Sequence, residues 1–454
     1  MSNALTQYLE LWRDHGALVE KGSPVAFNAL RGKALEVLQR YEKEGLPKLG
    51  SEDYAITDLQ ELLAPDYGLN LGRVAMDANP AAAFRCSVPN ISTDLCFLIN
   101  DSFAKSSNAL TALPEGVYIG SPRQIPAECG LDLAKYYGSV ADMENPVVAL
   151  NTLFAQDGMV VYVPRGVKLQ KPLQLVSLFS AGSPLMAVRR LLVVVEDDAQ
   201  AQMLVCDHTQ ADNVDFLSLQ TVEIILGRNA RFDLYDLEES SQLTHRLNAL
   251  YARQNEGSRL LVNGMTLFNG FTRNEYSLSL EGEHCETHLL GLGIADRQRK
   301  IDTVSLIDHK VPQCHSNELF KYSADDESRC SFAGRILVRP GAHHTDSYQS
   351  NRNLLGSSKA KIYSKPQLEI YNDDVKCSHG SATGQLDPMQ LFYMRTRGID
   401  ESDAKLLLKQ AFMSDIIDSV ELPGLHERLH LLIERCFAGA GTACNSCAAG
   451  CANH

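Results

Sequence analysis

The run RLLVVVE, Arg190–Glu196, belongs to the series of short apolar segments that decides the fold of this chain. Segments of this kind recur roughly every 12–16 residues between residues 147 and 369, each rich in Val, Ile, Leu, Phe or Tyr and without a helical period. Turn signals such as Gly182 and Asn269–Gly270 separate them. This regular alternation predicts a long series of strands. Further segments are MVVYVP (Met159–Pro164), LQLVSLF (Leu173–Phe179), LQTVEIIL (Leu219–Leu226) and RLLVNGMTLF (Arg259–Phe268).

A strand-rich region of this length suits a solenoid better than a single sandwich. We therefore predict a mainly β fold whose core, residues 146–386, is a right-handed parallel β-helix with about two long strands per coil. Arginines and acidic residues are scattered through the strands, which suggests that one face is exposed to solvent. An antiparallel barrel or two tandem sandwiches would also account for the pattern.

The region before the solenoid, residues 1–145, begins as helix. Leu5, Tyr8, Leu9 and Trp12 fall at the spacing of three and four residues that places side chains on one helical face. From about residue 77 onward, proline and glycine punctuate the chain, so short strands and loops are expected there.

The C-terminal region, residues 387–437, is predicted to be helical. Asp387 and Asp400 are expected to cap helices, and Gly398 is expected to end one. Two apolar stripes at helical spacing follow. They consist of Ala404, Leu407, Leu408, Ala411, Phe412 and Ile416, and of Leu425, Leu429, Leu432, Ile433 and Cys436. A cysteine-rich tail, residues 438–454, completes the sequence.

The composition limits the classes of function. The 454 residues carry a formal net charge of −14, which argues against nucleic acid as the main partner. No apolar run is long enough for a membrane span, and the N-terminal sequence lacks the features of a signal peptide, so we expect a cytoplasmic protein. Twelve cysteines are too sparse in this length for a disulfide scaffold, and most are expected to pack as buried thiols.

The segment VKCSHG places Cys377 and His379 two positions apart at the end of the strand-rich region. Side chains at this spacing share one face of a strand, so a thiol and an imidazole would project side by side. Both are ligands for iron, zinc or copper. Two ligands do not close a metal or cluster site, which usually needs three or four. A functional site here would therefore be completed by another strand or another chain, and a buried thiol beside a hydrogen-bonded imidazole is the alternative.

Other histidines and cysteines are weaker candidates. Neighbouring residues of a strand face opposite sides, so Cys314 and His315 are expected to pack and hydrogen-bond rather than to share a metal, with His309 too far along the chain. His284 and His288 would share a strand face at a separation too large for one ion. The remaining group, expected in a turn, consists of His343, His344 and Asp346.

The tail contains Cys444, Cys447 and Cys451 in a C-x-x-C-x-x-x-C arrangement that is compatible with zinc or an iron–sulfur cluster. A mobile tail with exposed thiols is the alternative.

Two absent motifs also matter. Without a G-x-x-x-x-G-K-[ST] loop the chain is not expected to bind and hydrolyse ATP, and without G-x-S-x-G it lacks a nucleophile elbow. Asp373 and Asp374 are expected to serve in a turn.

Three stretches make the chain resemble the SufB/SufD family of the SUF iron–sulfur cluster assembly system, and its SufD branch in particular. These are VYVPRGVKLQKPLQL (Val161–Leu175), IDHKVPQCHSNELFK (Ile307–Lys321) and KPQLEIYNDDVKCSHGSATGQLDPMQLFYMRTRGI (Lys365–Ile399). The VKCSHG sequence favours SufD, because SufB proteins carry a Glu-His-Glu type sequence in that place.

The resemblance implies a parallel β-helix core with flanking helices and a non-enzymatic scaffold role. It implies pairing with a SufB-like paralogue through the cores and binding of a SufC-like ABC-type ATPase by the C-terminal helical region. A transient iron–sulfur cluster would form at the SufB–SufD interface with sulfur from a cysteine desulfurase system, and reduced flavin would associate with the complex. His379, and beside it Cys377, are the implied interface residues. The cysteine-rich tail lies outside the family pattern.

Two other functions remain open on the sequence. A carbohydrate-active β-helix enzyme, such as a lyase, would need paired acids or basic catalytic groups along a solenoid groove. A zinc-dependent module could be built on the tail. The sequence also leaves a homodimer of the isolated chain possible, since a solenoid with an open edge offers strands for pairing.

Overall fold

The computed structural model describes residues 3–71, 93–104, 113–210 and 213–438. Strands account for 43% and helices for 24% of the described residues. Within the described ranges, no helix combines the length and the apolar character that crossing a bilayer requires.

Helices precede the solenoid and pack against its outer surface. Leu5, Tyr8 and Leu9 are buried on one face of the first helix, as their spacing predicted. The last helix of the group is buried along its whole length between the other helices and the solenoid strands. The helices are α1 (Leu5–Lys21), α2 (Val25–Glu44), α3 (Leu59–Leu63), α4 (Leu133–Tyr136) and α5 (Pro146–Phe154), with a 3₁₀ turn at Ala127–Cys129.

From β5 to β20 the strands follow one another in sequence, and the described residues between them form no helix. Short strands from the region before residue 146 pair at the edge of the same sheets. The strands are β1 (Gly68–Leu69), β2 (Asp94–Ile99), β3 (Ser102–Ala104), β4 (Tyr118–Gly120), β5 (Met159–Val163), β6 (Leu173–Phe179), β7 (Leu185–Val195), β8 (Gln200–Thr209), β9 (Phe216–Leu226), β10 (Arg231–Glu239), β11 (Thr244–Gln254), β12 (Arg259–Phe268), β13 (Phe271–Leu280), β14 (Glu286–Ala295), β15 (Lys300–His309), β16 (His315–Ala324), β17 (Arg329–Val338), β18 (Thr345–Leu355), β19 (Lys361–Ile370) and β20 (Val375–Gly384).

From β5 onward, odd-numbered and even-numbered strands form two separate sheets. The odd sheet runs from β19 through β17 and β15 down to β5, and the even sheet runs from β20 through β18 and β16 down to β6. Each of these strands pairs in parallel with the strand two places away in sequence, so one strand from each sheet makes one coil. The result is a parallel β-solenoid of about seven turns. The predicted β-helix is confirmed, and the antiparallel barrel is wrong.

The expectation that the charged strand positions form a solvent-exposed face holds only in part, because the side chains of Arg335 and Arg352 reach solvent whereas arginines of earlier coils are buried. Arg189, Arg246 and Arg273 are fully buried. Arg189 donates two hydrogen bonds of 2.7 Å to Asp207, which belongs to the opposite sheet. Arg246 pairs with Asp236 in the same interior. Because an unpaired buried charge is strongly destabilising, a buried arginine of this kind needs a carboxylate partner. The pairs join strands from different parts of a coil, which strand patterning alone does not reveal.

Three helices follow the last strand: α6 (Pro388–Thr396), α7 (Glu401–Ile417) and α8 (Pro423–Phe437). Asp387 caps α6 by accepting a 2.8 Å hydrogen bond from the backbone N–H of Met389, as predicted. Asp400 stands at the start of α7, but its side chain makes no capping hydrogen bond.

The two predicted apolar stripes have different outcomes. The α8 stripe is buried throughout against the outer face of the even sheet, so that prediction is confirmed. In α7 only the C-terminal part reaches the sheet, through Met413, Ile416 and Ile417. Leu407, expected in the α7 stripe, is 45% exposed, whereas Ala404 of the same stripe is fully buried.

The terminal coil as the candidate functional site

The last coil of the solenoid, β19 and β20, is here called the terminal coil. β20 pairs with β18, β19 pairs with β17, and no other strand of the described residues lies beyond them. Each therefore presents an unpaired edge. Pro366 lies within β19 and lacks a backbone N–H, which suits a strand at the edge of a sheet. The C-terminal helices pack on the side of the solenoid and leave this end uncovered.

Cys377 and His379 lie on β20 and project from the same face of that strand, toward the interior of the solenoid. Cys377 is half-buried and packs with Val375 against a cluster that contains Ile336 and Val338. Burial, with a smaller contribution from the nearby carboxylate of Asp346, raises the pKa of the Cys377 thiol. His379 is exposed. The terminal coil thus presents one shielded sulfur and one accessible imidazole.

A buried polar column leads to His379. Gln349 stands opposite His379 in the pairing of β18 with β20, and Glu318 stands opposite Gln349 in the preceding coil. The Gln349 amide donates a 2.6 Å hydrogen bond to the Glu318 carboxyl, which also accepts one from the hydroxyl of Ser305. Within the described chain, Oε1 of Gln349 has no hydrogen-bond partner. The column therefore ends in a free acceptor on Gln349, the strand partner of His379.

Glu318 is the ionisable group of this column, and it is fully buried. Burial raises its pKa to about 7, although the hydrogen bonds from Ser305 and Gln349 act in the opposite direction. No cation is among the causes that act on its pKa. The protonation of Glu318 therefore changes near neutral pH. Glu318 lies one coil below Gln349, the residue that pairs with His379.

A second column leads to Cys377. Nε2 of His309 lies 2.9 Å from Oγ of Ser316, which lies 2.6 Å from Oγ of Ser347. Ser347 is the pairing partner of Cys377 in β18. Burial lowers the pKa of His309 to about 4, so its imidazole is neutral at neutral pH. Each site residue thus stands opposite the last member of a polar column in the pairing of β18 with β20.

Sequence reasoning missed Glu318, Gln349, Ser316 and Ser347. Glu318 lies in the stretch Ile307–Lys321, but its importance depends on the pairing of strands about one coil apart. The coil length of the solenoid is the signal that could have found these residues. Counting one coil back from His379 reaches Gln349, and one more coil reaches Glu318.

The weaker candidates do not assemble into a metal site. Cys314 is buried and donates to the carbonyl of Gly282 at 3.3 Å, whereas the ring of His315 lies on the outer face near that of His288, with 6.1 Å between centroids. The expectation that His284 shares a strand face with His288 is wrong. His284 has a φ of 62° and lies in the turn before β14, because the chain reverses direction there.

The turn candidates surround the end of the solenoid. His344 has a φ of 57°, and its Nδ1 lies 3.1 Å from a carboxylate oxygen of Asp374. Asp374 therefore joins two stacked turns, while Asp346 lies within β18 instead of the expected turn. The cysteines of the tail, Cys444, Cys447 and Cys451, lie outside the described residues.

Chemically, the terminal coil offers one sulfur and one nitrogen ligand at an open edge. Iron–sulfur clusters accept cysteine thiolates and, in some cases, histidines. Comparison with known families agrees with this chemistry. The family model described as the SufBD core domain of SUF system FeS cluster assembly matches residues 178–412, and the SufBD protein N-terminal region matches residues 2–175. The chain belongs to the SufBD family. The SUF system, in which this family serves, assembles iron–sulfur clusters.

Relatives of the SufBD family extend the match along nearly the full chain. The SufBD family protein slr0076 of Synechocystis is 32% identical over 85% of this chain and 86% of its own length. The protein named SufD in Escherichia coli is 27% identical over 94% of this chain and 95% of its own length. SufD of Bacillus subtilis is 25% identical over 64% of this chain and 67% of its own length. The family match does not favour a carbohydrate-active enzyme.

Proposed function

We propose that this chain is a SufD-like, non-catalytic scaffold subunit in iron–sulfur cluster assembly. Its terminal coil pairs with a SufB-like paralogue, and a nascent cluster forms at the contact with His379 and Cys377 among the ligands. The observation that carries the proposal is the position of these residues on an unpaired terminal strand. A site with two ligands on one chain holds a cluster only while a second chain completes it.

The surface around the terminal coil supports a protein partner at this end. Tyr348, Tyr363, Ile370 and Tyr371 expose 40–61% of their surface there. Aromatic and apolar side chains grouped at an unpaired sheet edge are typical of an interaction site. The free edges of β19 and β20 would supply main-chain hydrogen bonds to strands of the partner. The neutral hydroxyl pair Ser364 and Ser381, with Oγ atoms 2.8 Å apart, bridges the two sheets between these edges.

The C-terminal helices offer a second surface, for a SufC-like ATPase. Met389, Phe392 and Tyr393 of α6 are exposed by 59–71%. None of the residues of α6 is buried, so this helix makes little use of its apolar side chains within the chain itself. Helices whose apolar residues face solvent commonly bury them against a partner. The reduced flavin expected on the complex stays a prediction.

Replacement of His379 by alanine tests the cluster role. His379 is exposed, so the substitution is expected to leave folding and complex formation intact. We expect a several-fold lower yield of iron and acid-labile sulfide when the complex with the SufB-like chain and the ATPase is isolated anaerobically. His343→Ala is the matched control, because His343 lies in a turn at the same end of the solenoid.

The two readouts separate the possible outcomes. An unchanged cluster yield in an intact His379→Ala complex contradicts the role of this imidazole. Loss of the complex itself, seen by size-exclusion chromatography, would show instead that His379 contributes to assembly of the subunits. Reduced yield in the His343→Ala control as well would mean that the effect is not specific to His379.

A further inference from the structure

The turn between α7 and α8 brings together three metal-ligating side chains that have no part in the terminal coil. They are Asp418 directly after α7, and His426 and His430 in α8. Their potential ligand atoms all lie within 4.8 Å of one another. His426 and His430 are four residues apart, which places them on the same face of the helix. Nε2 of His426 already lies 3.3 Å from a carboxylate oxygen of Asp418.

We infer that Asp418, His426 and His430 form a binding site for a divalent first-row transition metal, such as Zn²⁺. Two imidazole nitrogens and one carboxylate oxygen suit zinc, nickel, cobalt or ferrous iron, whereas Mg²⁺ and Ca²⁺ prefer oxygen ligands alone. Ligand atoms around tetrahedral zinc are about 3.3 Å apart, since each lies about 2.0 Å from the ion. Small side-chain rotations would bring the three groups to that spacing.

The backbone that carries these ligands is held in place. Asn263 of β12 donates to Oγ of Ser419 at 3.2 Å, and the hydroxyl of Tyr235 in β10 accepts from the backbone N–H of Glu421 at 3.2 Å. Hydrogen bonds from two strands thus fix the turn that follows Asp418. A metal site on a fixed backbone loses little conformational entropy on binding, which favours affinity.

The helix that carries both histidines is equally well supported. Leu425 and Leu429 are buried against the even sheet, and they alternate along α8 with the two histidines. Neither histidine is buried, so a metal ion can enter from solvent. The bound ion would join the end of α7 to the first turns of α8 and so hold the two helices together. The open coordination position would accept water or a ligand from another molecule.

The test uses the full chain in which Cys444, Cys447 and Cys451 are replaced by serine, so that the tail thiols cannot bind the probe. Zn²⁺ is titrated in against a competing chelator. We expect one equivalent to bind, with affinity at least tenfold weaker in Asp418→Asn and lost in His426→Gln/His430→Gln. Co²⁺ should give the visible bands of nitrogen and oxygen ligation without a thiolate charge-transfer band.

His15→Gln in the same background is the control, because His15 is an exposed histidine on another helix, α1. Its zinc affinity should match that of the parent. Zinc binding of undiminished affinity in the double histidine variant overturns the inference, and so does a parent without the tail cysteines that binds no zinc. Circular dichroism of each variant shows whether the helices are retained. A loss of zinc binding is attributed to the replaced ligand only when the variant is folded.

Discussion

Replacing Glu318 by glutamine removes a buried carboxyl whose charge the solenoid interior disfavours. The pKa of Glu318 is about 7 in the folded chain, against an ordinary value of 4.5, chiefly because of burial. A tenfold change in proton affinity corresponds to about 1.4 kcal/mol. The folded state therefore binds the proton more tightly than the unfolded state, and the ionised group lowers the free energy of unfolding by about 3 kcal/mol above pH 7.

The sign of the pH dependence follows from the raised pKa. Below pH 4.5 the carboxyl is protonated in both states, and glutamine should behave much like it. As pH rises from 4.5 to 7, the free energy of unfolding of the wild-type chain falls, because the carboxyl ionises more readily in the unfolded state. The glutamine variant has no such group to ionise. We expect the difference in free energy of unfolding, Glu318→Gln minus wild type, to increase by about 2 kcal/mol between pH 5.5 and 8.

Urea denaturation followed by circular dichroism at several pH values measures this difference. Glu283→Gln, at an exposed site, controls for the loss of one negative charge. A difference between Glu318→Gln and wild type that stays constant with pH would refute the reasoning. It would mean that the Glu318 carboxyl has the same proton affinity in both states, whatever constant offset the amide introduces.

Two other substitutions test the packing and the site. Leu429→Ala should lower the free energy of unfolding by about 2–5 kcal/mol, because Leu429 is fully buried between α8 and the even sheet. Leu431→Ala, at a half-exposed position of the same helix, should change it by less than about 0.5 kcal/mol in the same urea titration. Cys377 should be alkylated by iodoacetamide more slowly at pH 8 than a solvent-exposed thiol, because its raised pKa reduces the thiolate fraction, and Asp346→Asn should speed the reaction. Mass spectrometry of the Cys377 peptide measures both rates. A rate equal to that of a free thiol would contradict the burial argument.

Much of the fold could be predicted from local pattern. The runs such as Arg190–Glu196 and the turns between them are local features, and the even spacing of strands is what a solenoid needs. The burial of charge could not be predicted in this way. Arg246 contacts carboxylates of β8 and β10, and these partners become neighbours only when the coils stack. A charged residue in a strand looks the same in sequence whether it meets water or a partner.

The candidate site divides along the same line. The spacing of Cys377 and His379 placed them on one face of a strand, because strand geometry depends only on neighbouring residues. The columns beneath them depend on register between coils, which local sequence does not encode. The pair His426 and His430 shows the opposite case. Its four-residue spacing on a helix was visible in the sequence, but Asp418 joins it only through the turn between α7 and α8.

The unpaired terminal coil has a consequence for the dynamics of the chain. In a stack of coils each one is stabilised by its neighbours, and an end coil has a neighbour on one side only. Local opening should therefore start at β19 and β20, whose side chains are the most exposed of the solenoid, and amide exchange should be fastest there. A partner stacked on this end would act as the missing next coil. Ordering of the ligands and recognition of the partner would then be one cooperative event.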